Sequence, residues 1–279
     1  DKKEKKYFDR DRLMNPFADS RILYGDPQTP VKNVIVGIDM EVGEMVLVDR
    51  LRERGTKIDL VIGHHPDGHA LAHFYDVMKL QPAIFNKHGV PISIAENLTK
   101  ERMSEVGRSV SAANHMQTVD AARLLDIPFM CMHTPADNHV YTYLQTLFNR
   151  KKPKRLKDIM SILDDQPEYQ EAKKKNAGPF ILAGSPESSA GSVIVDMTGG
   201  TEGSRDIFAR LAQNGVSTVV CMHLSEAHFK KAREEKINVI NAGHIASDNL
   251  GINLVLDKVC KKEKLKILET SGFRRFARK

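Results

Sequence analysis

Tryptophan is missing from the 279 residues, and aromatic residues of all kinds amount to 6%. Proteins that hold single-stranded nucleic acid by stacking need rings set within basic runs, and no basic run here contains such a strip. Long apolar runs are missing too. None reaches the roughly 18 uncharged residues of a membrane span, and the start, DKKEKKYFDR, is charged where a secretory signal would be apolar. Cysteine is scarce and odd in number: Cys131, Cys221 and Cys260 lack CxxC spacing, which excludes a disulfide framework and a thiolate zinc site. Cys131 and Cys221 lie in apolar runs, where cysteine behaves as a small buried hydrophobe. These absences predict a soluble, cytoplasmic protein with no membrane partner.

What is present begins with charge. The formal net charge is +6, which would suit a phosphate backbone if the cations were clustered on one folded face. They lie instead in DKKEKK at the N-terminus, RKKPKRLK at 150–157, KKEKLK at 261–266 and RRFARK at the end. Such runs are typical of solvated linkers and tails, so nucleic acid is not the expected partner. A 41% hydrophobic fraction is enough for a buried core.

Short runs rich in Val and Ile alternate with stretches of helical period, the pattern of βα units around a largely parallel sheet. NVIVGID at 33–39 reads as a strand, EMVLVDRLRERG at 44–55 as a helix ended by Gly55, and KIDLVIG at 57–63 as the next strand. Helical signal returns in HALAHFYDVMKL and, after the apolar PISIA, runs from about Leu98 to Leu125, where IPFMCMH supplies a further strand. Residues 141–178 are rich in Lys and Gln and carry the helical LKDIMSILDD, so they read as a helical connector. The alternation then restarts with GSVIVDM, SRDIFARLAQNG, STVVCMH, EAHFKKAREEK and INVINAGH. The expected α/β organisation is a first lobe over 1–140, the connector, and a second lobe over 179–279.

The ends of the strands carry the chemistry. DLVIGHH ends in His64 and His65, IPFMCMH in His133, STVVCMH in His223 and INVINAGH in His244. Carboxyl ends of strands in open α/β sheets open into the crevice that binds ligands, so these imidazoles are expected around one location. An acid follows four residues after two of them: His133 precedes Asp137 and His244 precedes Asp248. A turn or helix after the strand would return that carboxylate to its histidine. Imidazole and carboxylate together suit zinc, manganese, iron or nickel. The adjacent His64 and His65 diverge, so they could serve two divalent ions with a carboxylate between them, an arrangement that activates water and polarises an electrophile. Asp137 and Asp248 each fit a second role equally well, as helix caps ahead of Asn138 and Asn249.

DLVIGHHP, CMHTPAD and NAGHIASD, in this order, resemble the three metal-binding signatures of the NIF-three-like family, whose bacterial members are labelled GTP cyclohydrolase I type 2 homologues. VIVGIDMEVGEMV resembles the family's strand and following turn, and the likeness runs from about Arg21 to Leu256, fading between Asn138 and Gly178. The resemblance implies that His64, His65, Asp137, His244 and Asp248 hold two divalent metal ions in the cleft between two interlocked lobes, with the second lobe returning His244 and Asp248 to the shared site. It also implies a homo-oligomer, commonly a ring-shaped hexamer. Asp248 stands where the family usually has Glu, one methylene longer. His133 matches the first residue of the His-Thr motif and reads as a residue orienting Asp137 or contacting ligand-bound water. His228 falls near a further cleft histidine and, with His223, is a candidate for proton transfer; an exposed helix histidine is the competing role.

The segment Thr198-Gly-Gly-Thr-Glu-Gly-Ser204 follows a strand and opens a helix, where amides could receive a phosphate; a tight loop that needs glycine explains it equally well. The function expected is a metal-dependent hydrolase of a small phosphorylated or nucleotide-like molecule. The alternative is a non-enzymatic metal-binding or regulatory scaffold that engages other proteins.

Overall fold

The computed structural model describes residues 4–278 and arranges them around two sheets. The first contains Ile22–Tyr24 (β1), Asn33–Gly37 (β2), Leu60–Gly63 (β3) and Phe129–Cys131 (β4). The second contains Phe180–Ala183 (β5), Ser192–Asp196 (β6), Val216–Cys221 (β7) and Asn238–Asn241 (β8), after which Lys266–Glu269 (β9) returns to the first. The spatial orders are β1-β4-β3-β2-β9 and β5-β8-β7-β6. Each sheet is parallel except at one edge, where β1 runs antiparallel to β4 and β5 to β8. Strands covered on both faces by helices read as continuous apolar runs, as Val34, Ile35 and Val36 do in β2 and Val219 and Val220 in β7.

The covering helices are Val42–Glu53 (α1), Gly68–Ala72 (α2), Gln81–Lys87 (α3), Ile92–Val110 (α4), Gln117–Leu124 (α5) and Thr134–Lys151 (α6). Leu156–Asp164 (α7) and Pro167–Lys174 (α8) precede β5, and Ile207–Gln213 (α9), Glu226–Glu234 (α10) and His244–Cys260 (α11) follow it. The expected βαβ unit is present as β2, α1 and β3, in parallel register from Val34 beside Leu60 to Gly37 beside Gly63. Beyond α1 the chain turns at Gly55 with φ +85, a conformation that suits glycine after a helix end. No helix among the described residues is long and apolar enough to cross a membrane.

Three expectations shift. HALAHFYDVMKL forms α2 and then a 3-10 stretch, Phe74–Leu80. Pro82, in the first turn of α3, has no N–H to extend an α-helix from that side and its ring would crowd the carbonyl of Met78. The helical stretch expected from Leu98 starts earlier, at Ile92 behind Pro91. It then breaks around residues 111–116, where the Ser111 hydroxyl bonds the Arg108 carbonyl and Asn114 Oδ1 accepts the Met116 N–H, local bonds that compete with the helix. Finally, α6 begins at Thr134, inside the expected first lobe, because Pro135 suits a first helical turn.

Two packing details place the site. The exposed edge of β6 is closed by a side chain of α6: Gln145 Nε2 donates to the Val193 carbonyl (3.0 Å) and its Oε1 accepts the Val195 N–H (2.9 Å). Gln145→Leu leaves both backbone groups unpaired, and a loss of about 1–3 kcal/mol is expected; a lower urea midpoint with unchanged slope is the measurement, and an unchanged midpoint would refute the edge-closing role. The second detail is the crossing of α6 and α11 at Gly251, where an added Cβ would stand 2.6 Å from the Ala136 carbonyl oxygen. These two helices carry Asp137 and Asp248.

Candidate metal centre

β3 ends at Gly63, and the chain turns there because the N–H groups of both His64 and His65 donate to the Ile38 carbonyl. The two side chains diverge, with ring centroids 5.2 Å apart and planes tilted by 48°. Asp137 lies one turn into α6, and Asp248 one turn into α11 behind Gly243, which has φ +95. Neither aspartate is a helix cap, so the competing role drops away. Four-residue spacing on a helix sets each acid below its histidine: His244 Nε2 is 3.6 Å from Asp248 Oδ2 and His133 Nε2 is 3.7 Å from Asp137 Oδ2.

The two oxygens of Asp248 face different partners. Oδ1 is 3.4 Å from His64 Nε2, which is also 3.4 Å from Asp137 Oδ1. Oδ2 is 3.6 Å from His65 Nε2 and 3.6 Å from His244 Nε2. These separations are too long for strong hydrogen bonds. They match a shared ion instead: two ligand atoms each about 2.1 Å from a tetrahedral cation stand about 3.4 Å apart. His64 Nε2, Asp137 Oδ1 and both oxygens of Asp248 are buried without hydrogen-bond partners. Such groups are costly unless something satisfies them, and a divalent cation would satisfy all of them together. The sets His64, Asp137, Asp248 and His65, His244, Asp248 could each hold a metal ion, as could His64, His65, His133.

The outer partners favour the same role. His64 Nδ1–H donates to the Met132 carbonyl (3.1 Å), His65 Nδ1–H to Asp39 (2.6 Å) and His133 Nδ1–H to Asp19 (2.8 Å). Carbonyls and carboxylates only accept, so the proton sits on Nδ1 and the Nε2 lone pair points inward, the arrangement seen behind metal-bound histidines. Asp19 also accepts the Thr134 hydroxyl (2.6 Å). His133 is thus itself oriented by Asp19, and at 3.7 Å it does not hydrogen-bond Asp137.

Charge follows the packing. Burial would lower the His64 imidazolium, yet the Asp248 and Asp137 carboxylates outweigh it and hold His64 well above its usual value. Burial would raise Asp248, but His64, His65 and His244 hold it far below the carboxylate range. His244 is lowered by burial and by neighbouring imidazoles. Cys131 and Cys221 are buried; burial pushes the Cys131 thiol up to about 12 and raises Cys221 as well, leaving both unreactive.

His223 and His228 occupy one side of the site with different surroundings. The His223 ring lies 4.8 Å from that of His244, is partly exposed, and meets Glu202 Oε1 through Nδ1 (3.2 Å). That contact raises its imidazole. His228 is buried, with Nδ1 on Ser225 Oγ (2.7 Å) and Nε2 on the Gly203 carbonyl (2.8 Å), so both its nitrogens are engaged. The glycine-rich loop turns at Gly199 (φ +89) and Gly200 (φ +88) and is pinned by Gln81 Nε2, which donates to the Gly199 and Thr201 carbonyls. It brings the Glu202 carboxylate to the cavity where an anion would have to sit, and α9, which follows, has only seven residues. The loop is a support for Glu202, not a phosphate cradle.

Asp19, Asp39, Glu202 and Asp196, whose carboxyl is pushed up to about 6 by burial, escaped the sequence reading. Asp39 and Asp196 end VIVGID and SVIVD, so the strand-end rule that found the histidines would have found them. Asp19 and Glu202 lie in loops and had no local signal.

No protein-family model matches the sequence, and no curated protein does. Solved structures do match. A NIF3 superfamily protein from Sphaerobacter thermophilus is 28% identical over 92% of each chain, with a TM-score of 0.79. Reduced HcgD from Methanocaldococcus jannaschii is 14% identical over 96% of this chain and 94% of its own, with a TM-score of 0.53. A Staphylococcus aureus protein is 12% identical over 93% and 92%, at 0.50. The latter two bear on the fold alone. The near full-length match to a NIF3 superfamily structure and the three histidine signatures converging on one cleft together support a NIF3-like family assignment.

Proposed function

We propose that this protein is a dinuclear-metal hydrolase of a small phosphorylated or nucleotide-like substrate. The observation that carries the reading is the division of Asp248, with Oδ1 toward His64 and Asp137 and Oδ2 toward His65 and His244. One carboxylate placed between two ligand sets supports two ions. The shorter side chain reaches both sets because α11 begins at His244 and carries Asp248 into the cleft on its first turn.

Bound by these five residues, zinc, manganese, iron or nickel ions would supply Lewis acidity toward an electrophile and lower the pKa of water. The rest falls to the chain. His64 and Asp137, both buried, hold one side rigid, while His65 and the 39% exposed His244 leave the other side open to solvent, as a catalytic site requires and a structural one does not. His223 is the group placed to carry a proton, since Glu202 fixes its Nδ1 and leaves Nε2 free. His228, with both nitrogens engaged, holds the Gly203 carbonyl and the Ser225 hydroxyl, while the Ser225 N–H donates to Glu202 Oε1, so that Glu202 stays beneath His223. In this reading 1–140 and 179–279 form the two lobes around the site with 141–178 between them, and β9, from the second stretch, crosses back to complete the first sheet. The NIF3-like resemblance supports a homo-oligomer, in the hexameric form a ring, in the cytoplasm.

The test pairs metal analysis of protein purified without chelator with a screen of phosphate esters and nucleotides. We expect close to two ions per chain and metal-dependent turnover, with Asp137→Ala losing at least about 100-fold in single-turnover rate. Full metal content with no turnover across the screen would favour the scaffold reading.

A further inference from the structure

Two cavities meet at the metal cleft, and their sizes assign them different work. The inner one, of about 50 Å³, is lined by Asp137, Thr198, Glu202 and His228. It has room for a few water molecules and nothing larger. The outer one, of about 450 Å³, lies between α8, the start of β5, the first turn of α11 and the chain after β9, and falls in the range of small-molecule sites. Met222, His223 and His244 line both, so whatever fills the larger space reaches the metal ligands at that junction. A third cavity, of about 410 Å³, opens on the His65 side, but Asp39, Glu41 and Asp67 line it and would repel an anion.

The wall of the outer cavity is built. Asn249 fixes the tail from both sides, donating to the Gly272 carbonyl (3.0 Å) and accepting the Arg274 N–H (2.6 Å), while Phe273 is fully buried as its anchor. This holds Phe276 and Arg274 against the space, opposite Phe180, which is 49% exposed. Of the lining amides, Asn249 is committed to the tail and to the Ile245 carbonyl, and Asn241 Oδ1 accepts the Gly243 N–H. Asn241 Nδ2 and the exposed Asn176 are the amide donors left to a ligand. Aromatic faces, a thioether and two imidazole edges remain, and these suit a planar ring.

The rim is cationic. Glu168 is closed off by Arg278 through two bonds of 2.7 and 2.6 Å, and Glu171 is shared between Lys174 and Lys175. Among the described residues the Arg274 guanidinium has the Phe273 carbonyl in hydrogen-bond range, with Glu269 4.0 Å away and its side chain partly exposed. We propose that this cavity, bounded by Phe180, Phe276 and Arg274, binds the body of the substrate, a planar aromatic molecule bearing one anionic group, and presents it at His223 and His244. The proposal rests on the hydrolase reading for its purpose but not for its binding.

The test is calorimetric titration with naphthalene-1-sulfonate, with naphthalene-1-methanol as the neutral ring and sodium sulfate as the anion alone. One naphthalene-1-sulfonate per chain is expected, more tightly bound than either control. Phe180→Ala is expected to weaken it about three- to tenfold, the size of one aromatic contact. Arg274→Ala is expected to weaken the sulfonate while leaving the neutral ring unchanged. Ala177→Trp, which fills the space from an exposed position, is expected to abolish binding. Sulfate binding as tightly as the ring, or sulfonate binding untouched by Ala177→Trp and Phe180→Ala, overturns the proposal. Chelator-treated protein separates the two readings. Sulfonate retained where wild-type protein never takes up metal defeats the hydrolase reading alone. Full metal content without sulfonate binding defeats this one alone.

Discussion

Asp248→Ala is expected to strip both ions from the protein at once. The residue is 1% exposed, and its two oxygens face the two ligand sets, Oδ1 toward His64 and Oδ2 toward His65 and His244. Removing it leaves His64 with Asp137 on one side and His65 with His244 on the other, two ligands each where three stood. Loss of an outer partner alone costs about 10–100-fold in metal affinity, so loss of the shared ligand is expected to exceed about 100-fold, read by elemental analysis after dialysis against a weak chelator. The fold is expected to survive, since His64 keeps the Met132 carbonyl on Nδ1 and Asp137 beside Nε2. Asp248→Glu, which restores the family's longer side chain, is expected to keep metal. Two ions per chain in Asp248→Ala would defeat the bridging assignment.

The second large effect is expected away from any ligand. A glycine inside a helix normally gains about 1 kcal/mol when replaced by alanine. At Gly251 the sign should reverse, because a Cβ would stand 2.6 Å from the Ala136 carbonyl oxygen and 2.9 Å from Val140. Neither neighbour can yield without moving α6. Gly251→Leu enlarges the clash, and overpacking of this kind costs about 1–3 kcal/mol or more. Asp137 follows Ala136 directly, and Asp248 sits one turn before Gly251, so separating the helices also separates the two acids. Lower stability in denaturant and lower metal content should therefore appear together in one variant. A more stable Gly251→Ala with full metal content would show that the helices have room to spare.

Much of the site could be read before any coordinates. Histidine at a strand end is a local signal, since apolar runs end where the chain leaves the sheet, and His64, His65, His133, His223 and His244 all sit just beyond such runs. The four-residue return to Asp137 and Asp248 is equally local. The same periodicity could not place β9, whose four residues carry a weak pattern and pair with a strand far back in the chain, nor separate α4 from α5, where side chains rather than apolar spacing end the helix.

What the sequence by itself determined is therefore the α/β alternation and the set of strand-end histidines with an acid four residues on, because both follow from periods of two and of three to four residues. Whether the aspartates capped helices or faced the histidines, which oxygen of Asp248 met which imidazole, and that Asp19, Asp39 and Glu202 stood behind the histidines were decided only in three dimensions. Those relations join residues far apart in the chain. They depend on how closely α6 and α11 can approach at a single glycine, and that distance is a property of packing, not of any local pattern.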